Sequence, residues 1–162
     1  MDRVAAHIPV LRDEVVSILA PADGSVLVDC TVGLGGHAEA LLQAAGPKAR
    51  LIGIDLDEAN LRAARRRLAA FGDRVRLFRA NFAEIRLVLE EAGEAAADVL
   101  LADLGVSSSQ LDDPTRGLSF MLDGPLDMRL GAEGAATAAD LVNDLPERQL
   151  ADLIYRFGEE RY

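Results

Sequence analysis

Along the first hundred or so residues, apolar runs alternate with segments in which apolar side chains recur every three or four positions. The runs are "SVLVDCTV" (25–32), "ARLIGIDL" (49–56), "VRLFRANF" (75–82) and "ADVLLADL" (97–104). Their content of Val, Ile and Leu predicts strands, and the nearly continuous first, second and fourth predict strands covered on both faces. Helices are expected between them, at 36–45, 57–71 and 83–92. In the second of these, Asp57 is placed to cap the first turn. Leu61, Ala64, Leu68 and Phe71 then share one face and leave Arg62, Arg65 and Arg66 to solvent. Repeated strand-helix alternation predicts a parallel sheet with right-handed crossovers and helices on both sides, the doubly wound α/β architecture.

The pattern changes after residue 105. "GVSSSQLDDPTRGLSFMLDGPLDMRLGAEGAA" is dense in Gly, Pro, Asp and Ser and too long for an ordinary connection, which predicts a functional loop or the start of an insertion. Helical pattern then resumes at 137–144 and 146–157. The latter opens on Pro146, carries Leu150, Leu153, Ile154 and Phe157 on one face, and meets Gly158 as its expected stop. The expected division is 1–106 for the sheet domain and 107–162 for the loop and a beginning helical domain.

Composition narrows the class. Half of the 162 residues are hydrophobic, enough for a sizeable core. No run approaches the roughly 20 apolar residues of a membrane span, and "MDRVAAHIPVLRDE" lacks a basic start followed by an apolar core, so a cytoplasmic protein is expected. One cysteine, Cys30, allows no internal disulfide, and two histidines give no convincing zinc cluster; no metal is expected. The net charge of -10 argues at first against nucleic acid, but it is unevenly placed. Residues 1–81 carry 11 basic and 10 acidic groups, whereas 82–162 carry 6 and 17. "LRAARRRL" at 61–68 could face phosphate, although a solvated helix face is the preferred reading.

In an open parallel sheet the ligand lies beyond the carboxyl ends of the strands, next to the point where strand order reverses. Four features fall there. The first strand runs into Gly33-Leu34-Gly35-Gly36-His37, where glycine permits a sharp turn and close backbone approach to a ligand. Asp55 ends the second strand about 20 residues later, the place from which a carboxylate accepts ribose hydroxyls. Phe82 follows Asn81 at the end of the third strand and could lie against an adenine ring, or be core. Asp103 ends the fourth and opens "DLGVSSSQLDD". Together they describe a site for an adenosine-containing ligand. NAD would call for G-x-G-x-x-G, but the spacing here is G-x-G-G-H. The Tyr-x-x-x-Lys pair of short-chain dehydrogenases is missing, since Tyr155 is followed four places later by Glu159, and no G-x-x-x-x-G-K-[ST] phosphate loop occurs. S-adenosylmethionine, with ribose and adenine but no phosphate, fits better.

The segments "HIPVLRDEVV", "DCTVGLGGHAEALL", "IGIDLDEAN", "DVLLADLGVSSSQLDDPTRGLSFMLDGPLDMRL" and "FGEERY" together closely resemble the ribosomal RNA small subunit methyltransferase H (MraW) family, in order and over essentially the whole chain. The resemblance implies a Rossmann-like S-adenosylmethionine-dependent methyltransferase sheet, present in part, followed by the start of a mainly helical inserted domain. It implies methyl transfer to N4 of a cytidine in the decoding region of 16S ribosomal RNA, with the small ribosomal subunit as partner. The family's cofactor contacts fall on Gly35, Gly36, His37, Asp55, Phe82, Asp103 and Gln110; His37 and Gln110 enter through the resemblance alone. Asp103 is also the candidate to accept a proton or hydrogen bond from the reacting amine. Family members are longer than this chain, so the resemblance further implies an N-terminal fragment that stops inside the insertion. Such a fragment would have an open sheet edge and a helix at 146–157 without its partner surface, open to a homodimer. A cofactor-binding chain without turnover is the alternative expectation, ahead of a dehydrogenase.

Overall fold

A computed structural model describes residues 9–131 and 136–160, which fall into two compact units divided after Gly105. The ends of two motifs, His7-Ile8 and Arg161-Tyr162, lie outside the described residues, as do 132–135 of the long loop.

The first unit is built on four strands, β1 (Val26–Asp29), β2 (Arg50–Asp55), β3 (Val75–Arg79) and β4 (Val99–Leu101), in the order β3-β2-β1-β4. Every pairing is parallel, with Leu27 opposite Leu51 on one side and Val99 on the other. The chain therefore winds outward from β1 through β2 to β3, then crosses back to place β4 beside β1. The reversal point lies between β1 and β4, where an open α/β sheet forms its ligand crevice.

The period-two alternation of strand side chains divides the core between the two faces. Leu27 and Leu51 point to one face and pack with Leu41 and Leu42 of α2 (Gly36–Ala44) and with Leu61 and Ala64 of α3 (Glu58–Arg67). Val16 and Leu19 of α1 (Arg12–Leu19) join the same cluster. Val26, Val28, Ile52 and Ile54 point to the other face, where α4 (Ile85–Glu91) supplies Val88. Leu27, Val28 and Ile54 are fully buried. Covering on both faces thus holds for β1 and β2. It fails at β4, where Leu100, on the second face, is 51% exposed. The apolar run at 97–104 reads as a buried strand, but only three of its residues pair, and among the described residues no helix covers Leu100.

Two helix boundaries also differ from the periodicity. The helix expected over 57–71 ends at Arg67 and gives way to a 3₁₀ stretch, Ala69–Arg74, that Gly72 interrupts with φ 56° and ψ -134°. Leu68 and Phe71 still reach the core, so the apolar spacing is satisfied without a continuous helix. The third strand ends at Arg79. Asn81 then accepts the Ala83 N–H and caps a 3₁₀ turn at Phe82–Glu84. The helix α1, with three charged residues in its first turn and no fully buried side chain, lies outside the elements that the periodicity predicts.

Arg74 fastens the α2 end of the sheet. Its Nε donates to Ala49 O at 2.9 Å and its Nη2 to Gly46 O at 2.9 Å, so one guanidinium ties down carbonyls of the connection between α2 and β2.

The second unit contains α5 (Ser108–Leu111), a 3₁₀ turn at Pro114–Arg116, α6 (Ala138–Asp144) and α7 (Glu147–Gly158). Thr137 and Asp140 form a reciprocal capping box at the start of α6. The loop before it is ordered by Asp127, whose carboxylate takes Arg129 at 2.6 Å and is thereby held at a pKa of about 2. The α7 helix includes Gly158, and Glu159, with φ 55°, takes the left-handed position expected of the glycine. Its Ile154 and Phe157 are 44% and 82% exposed.

Candidate functional site

The carboxyl ends of the strands bring together most of the residues that the sequence singles out. After β1 the chain passes through Cys30 and Thr31 into the glycine loop. Val32 N–H donates to Ile54 O at 2.9 Å and Gly35 N–H to Val32 O at 2.8 Å, so the loop is folded back against β2. Gly35, with φ 81°, occupies the left-handed position that starts α2, where a side chain would be strained by roughly 1–2 kcal/mol.

Asp55 is joined to this loop directly. Its Oδ2 accepts Gly33 N–H at 2.9 Å and Asn60 Nδ2–H at 3.2 Å, and its Oδ1 accepts Asp57 N–H at 2.8 Å. An ionised carboxylate offers about four acceptor positions, and three are taken here. One remains on Oδ1 for a ligand. Asp57, as its sequence position suggests, is the cap of α3 and accepts Ala59 N–H at 2.8 Å.

Across the reversal point stands Asp103, two residues past β4, with its side chain 61% exposed. The Nε2 of His37, in the first turn of α2 and buried, lies 3.7 Å from Asp103 Oδ2, too long for a hydrogen bond. Phe82 is 43% exposed at the same end of the sheet, on the turn after β3. Gln110 belongs to the second unit, in α5. It is buried there, and its Oε1 accepts Ser107 N–H at 2.8 Å.

Three residues of this region escape sequence reasoning. Asp29, the last residue of β1, is 1% exposed and accepts Thr31 N–H at 3.1 Å. Burial lifts its pKa from 3.8 to about 7; the Thr31 N–H opposes the shift, and the negative charges of Asp103 and Asp55 add to it. Thr31 itself accepts Asp103 N–H on Oγ1 at 2.8 Å. Asn60 is 7% exposed behind Asp55. A polar residue within an apolar strand-end motif is the signal that marks Asp29 and Thr31. Asn60 falls on the same helical face as Leu61 and Ala64, and only the fold shows what it touches. Among the described residues, no group of three or more His, Cys, Asp or Glu side chains is placed to hold a metal ion, and no helix is long and apolar enough to cross a membrane.

Comparison with known proteins gives a consistent relationship. The model of the MraW methylase family matches residues 4–162. Ribosomal RNA small subunit methyltransferase H of Geobacter sp. (strain M21) is 51% identical over 156 residues, which is 96% of this chain and 50% of that protein. The protein of the same name from Syntrophobacter fumaroxidans (strain DSM 10017 / MPOB) is 50% identical over 156 residues, covering 96% and 49%. The chain thus spans about half the length of the curated relatives it matches. Among solved structures, PH0851 superposes with a TM-score of 0.51 at 22% identity, covering 59% of this chain and 21% of that one, a likeness of fold.

Proposed function

From the premise that the chain belongs to the MraW methylase family, we propose that it forms the cofactor-binding part of an S-adenosylmethionine-dependent methyltransferase acting on ribosomal RNA. The finer reading is methyl transfer to N4 of a cytidine in the decoding region of 16S ribosomal RNA, on the small ribosomal subunit. The observation that supports the cofactor assignment is the Asp55 carboxylate. It is fixed to the glycine loop through Gly33 and keeps one acceptor position for a ribose hydroxyl.

The charge of the site agrees with this ligand rather than with a dinucleotide. Asp29, Asp55 and Asp103 stand close enough at the strand ends for the latter two to act on the titration of Asp29. The carboxylates of Asp55 and Asp103 repel a pyrophosphate and favour a sulfonium, while Asp29, with a pKa near 7, carries only part of a charge. The loop meets a ligand with backbone at Gly35 and Gly36, His37 lines the start of α2, and Phe82 offers an exposed ring for adenine. When bound, the cofactor supplies an electrophilic methyl group.

The residues of the chain must then deal with a weak nucleophile. The lone pair of the cytosine amine is delocalised into the ring, so the enzyme gains by orienting the amine and accepting a hydrogen bond from its protons. Asp103 is the exposed acceptor at the reversal point, and His37 Nε2 stands 3.7 Å from its carboxylate. The base has to leave its stack to reach such a pocket. Replacing Asp103 with Ala is expected to lower transfer to unmethylated small subunits by about a hundredfold, with a smaller effect on cofactor affinity. Unchanged transfer would remove Asp103 from catalysis, and label on any base other than one cytidine would overturn the substrate assignment.

A further inference from the structure

The backbone ladder between β1 and β4 stops early on the side where the chemistry is placed. Asp29 pairs with Leu101, and Cys30 N–H donates to Leu101 O at 2.8 Å. Beyond that rung the chain past β4 leaves the sheet, and Asp103 lies outside any element with its side chain 61% exposed. One further link crosses the gap, and it is made by a side chain: Thr31 Oγ1 accepts the Asp103 N–H at 2.8 Å. Thr31 is secured in turn, because its own N–H donates to the buried carboxyl of Asp29.

We propose that Thr31 is a positioning residue, whose hydroxyl extends the β1–β4 ladder by one rung and so sets where the Asp103 carboxylate stands relative to the glycine loop and His37. The assignment rests on the methyltransferase reading of this site. The hydroxyl is the one side-chain group at residue 31 that can accept the Asp103 amide proton. The methyl and Cβ only pack. Without the hydroxyl, the Asp103 N–H turns to water at an exposed position. The fold therefore loses little, whereas the carboxylate gains freedom at the point where geometry controls rate. A displacement of about 1 Å at a reacting centre can cost a hundredfold in rate.

The test uses the full-length protein and follows two quantities, affinity for S-adenosylmethionine by calorimetry and single-turnover methyl transfer to unmethylated small subunits. Thr31→Val keeps the shape and removes the acceptor, Thr31→Ser keeps the acceptor, and each is compared with Asp103→Asn and with the Thr31→Val, Asp103→Asn pair. Thr31→Val is expected to slow transfer about tenfold or more while its melting temperature stays near that of the wild type. Thr31→Ser should recover most of the rate. The Val substitution should have little further effect once Asp103 is Asn, because residues acting through one another are non-additive. An unimpaired Thr31→Val, a Thr31→Ser as slow as Thr31→Val, or an equal loss in the Asp103→Asn background would overturn the assignment and leave the methyltransferase reading standing. Wild-type protein that binds no S-adenosylmethionine would overturn that reading and this assignment with it.

Discussion

Three aspartates end or follow neighbouring strands, and their surroundings give them different chemistry. Asp55 is occupied by two backbone N–H groups and an amide. Asp103 faces solvent, and Asp29 is buried with a pKa near 7. The last has a consequence for stability. Between about pH 4, where an unfolded aspartate ionises, and pH 7, the folded chain holds a proton that the unfolded chain has lost, so this group makes the fold less stable as pH rises. Above pH 7 the loss is constant. Asp29→Asn cannot titrate and can still accept the Thr31 N–H. Its unfolding free energy relative to wild type should therefore improve steadily from pH 4 to 7 and then level off, as read by urea unfolding at stepped pH. Parallel curves would show that Asp29 is ionised in the fold. In sequence, all three aspartates follow apolar residues and look alike. Spacing marks Asp55 and Asp103 as candidates, but the burial that sets Asp29 apart, and the link from Thr31 to a residue 72 positions away, exist only once β1 and β4 are adjacent.

At the scale of elements, the clearest signals are those that repeat. The alternation of strands and helices is readable because β1 and β2 must be apolar on both faces and the connecting helices on one. Helix α7 is readable from its apolar stripe alone. Boundaries are less so. The helix that stops at Arg67 is followed by core-reaching Leu68 and Phe71, and a 3₁₀ stretch satisfies the same spacing that a longer helix would. Helix α1 carries too weak a stripe to be separated from a loop. Arg74 lies just beyond this break, among many arginines. Its role as a cap for carbonyls near the end of α2 depends on contacts 25 and 28 residues away. Arg74→Ala should destabilise the first unit by about 2 kcal/mol, since each hydrogen bond from a charged donor contributes on the order of 1.5–3 kcal/mol and part is regained from water. Arg74→Lys should recover only a fraction, because a single ammonium cannot match the fork of the guanidinium. An unfolding midpoint unmoved by either change would rule the cap out as a source of stability.

At the scale of the whole molecule, the chain is two compact units whose chemistry is unequal. The first unit carries the strand ends, the glycine loop and all the assigned residues except Gln110, while the second carries most of the acidic excess and an amphipathic helix with an exposed apolar face. On the proposed reading the character of the ligand follows from the first unit: a glycine loop for close backbone approach, Asp55 as the acceptor for ribose, and carboxylates where a dinucleotide would need a place for phosphate. The measurement that bears most directly on this is equilibrium binding of labelled S-adenosylmethionine to the chain, with S-adenosylhomocysteine and NAD as competitors and Asp55→Ala as control. Saturable binding is expected, displaced by S-adenosylhomocysteine, indifferent to NAD, and weakened at least about tenfold by Asp55→Ala, the loss of a hydrogen bond to a charged acceptor. Displacement by NAD, or S-adenosylmethionine binding that survives Asp55→Ala unchanged, would contradict the account.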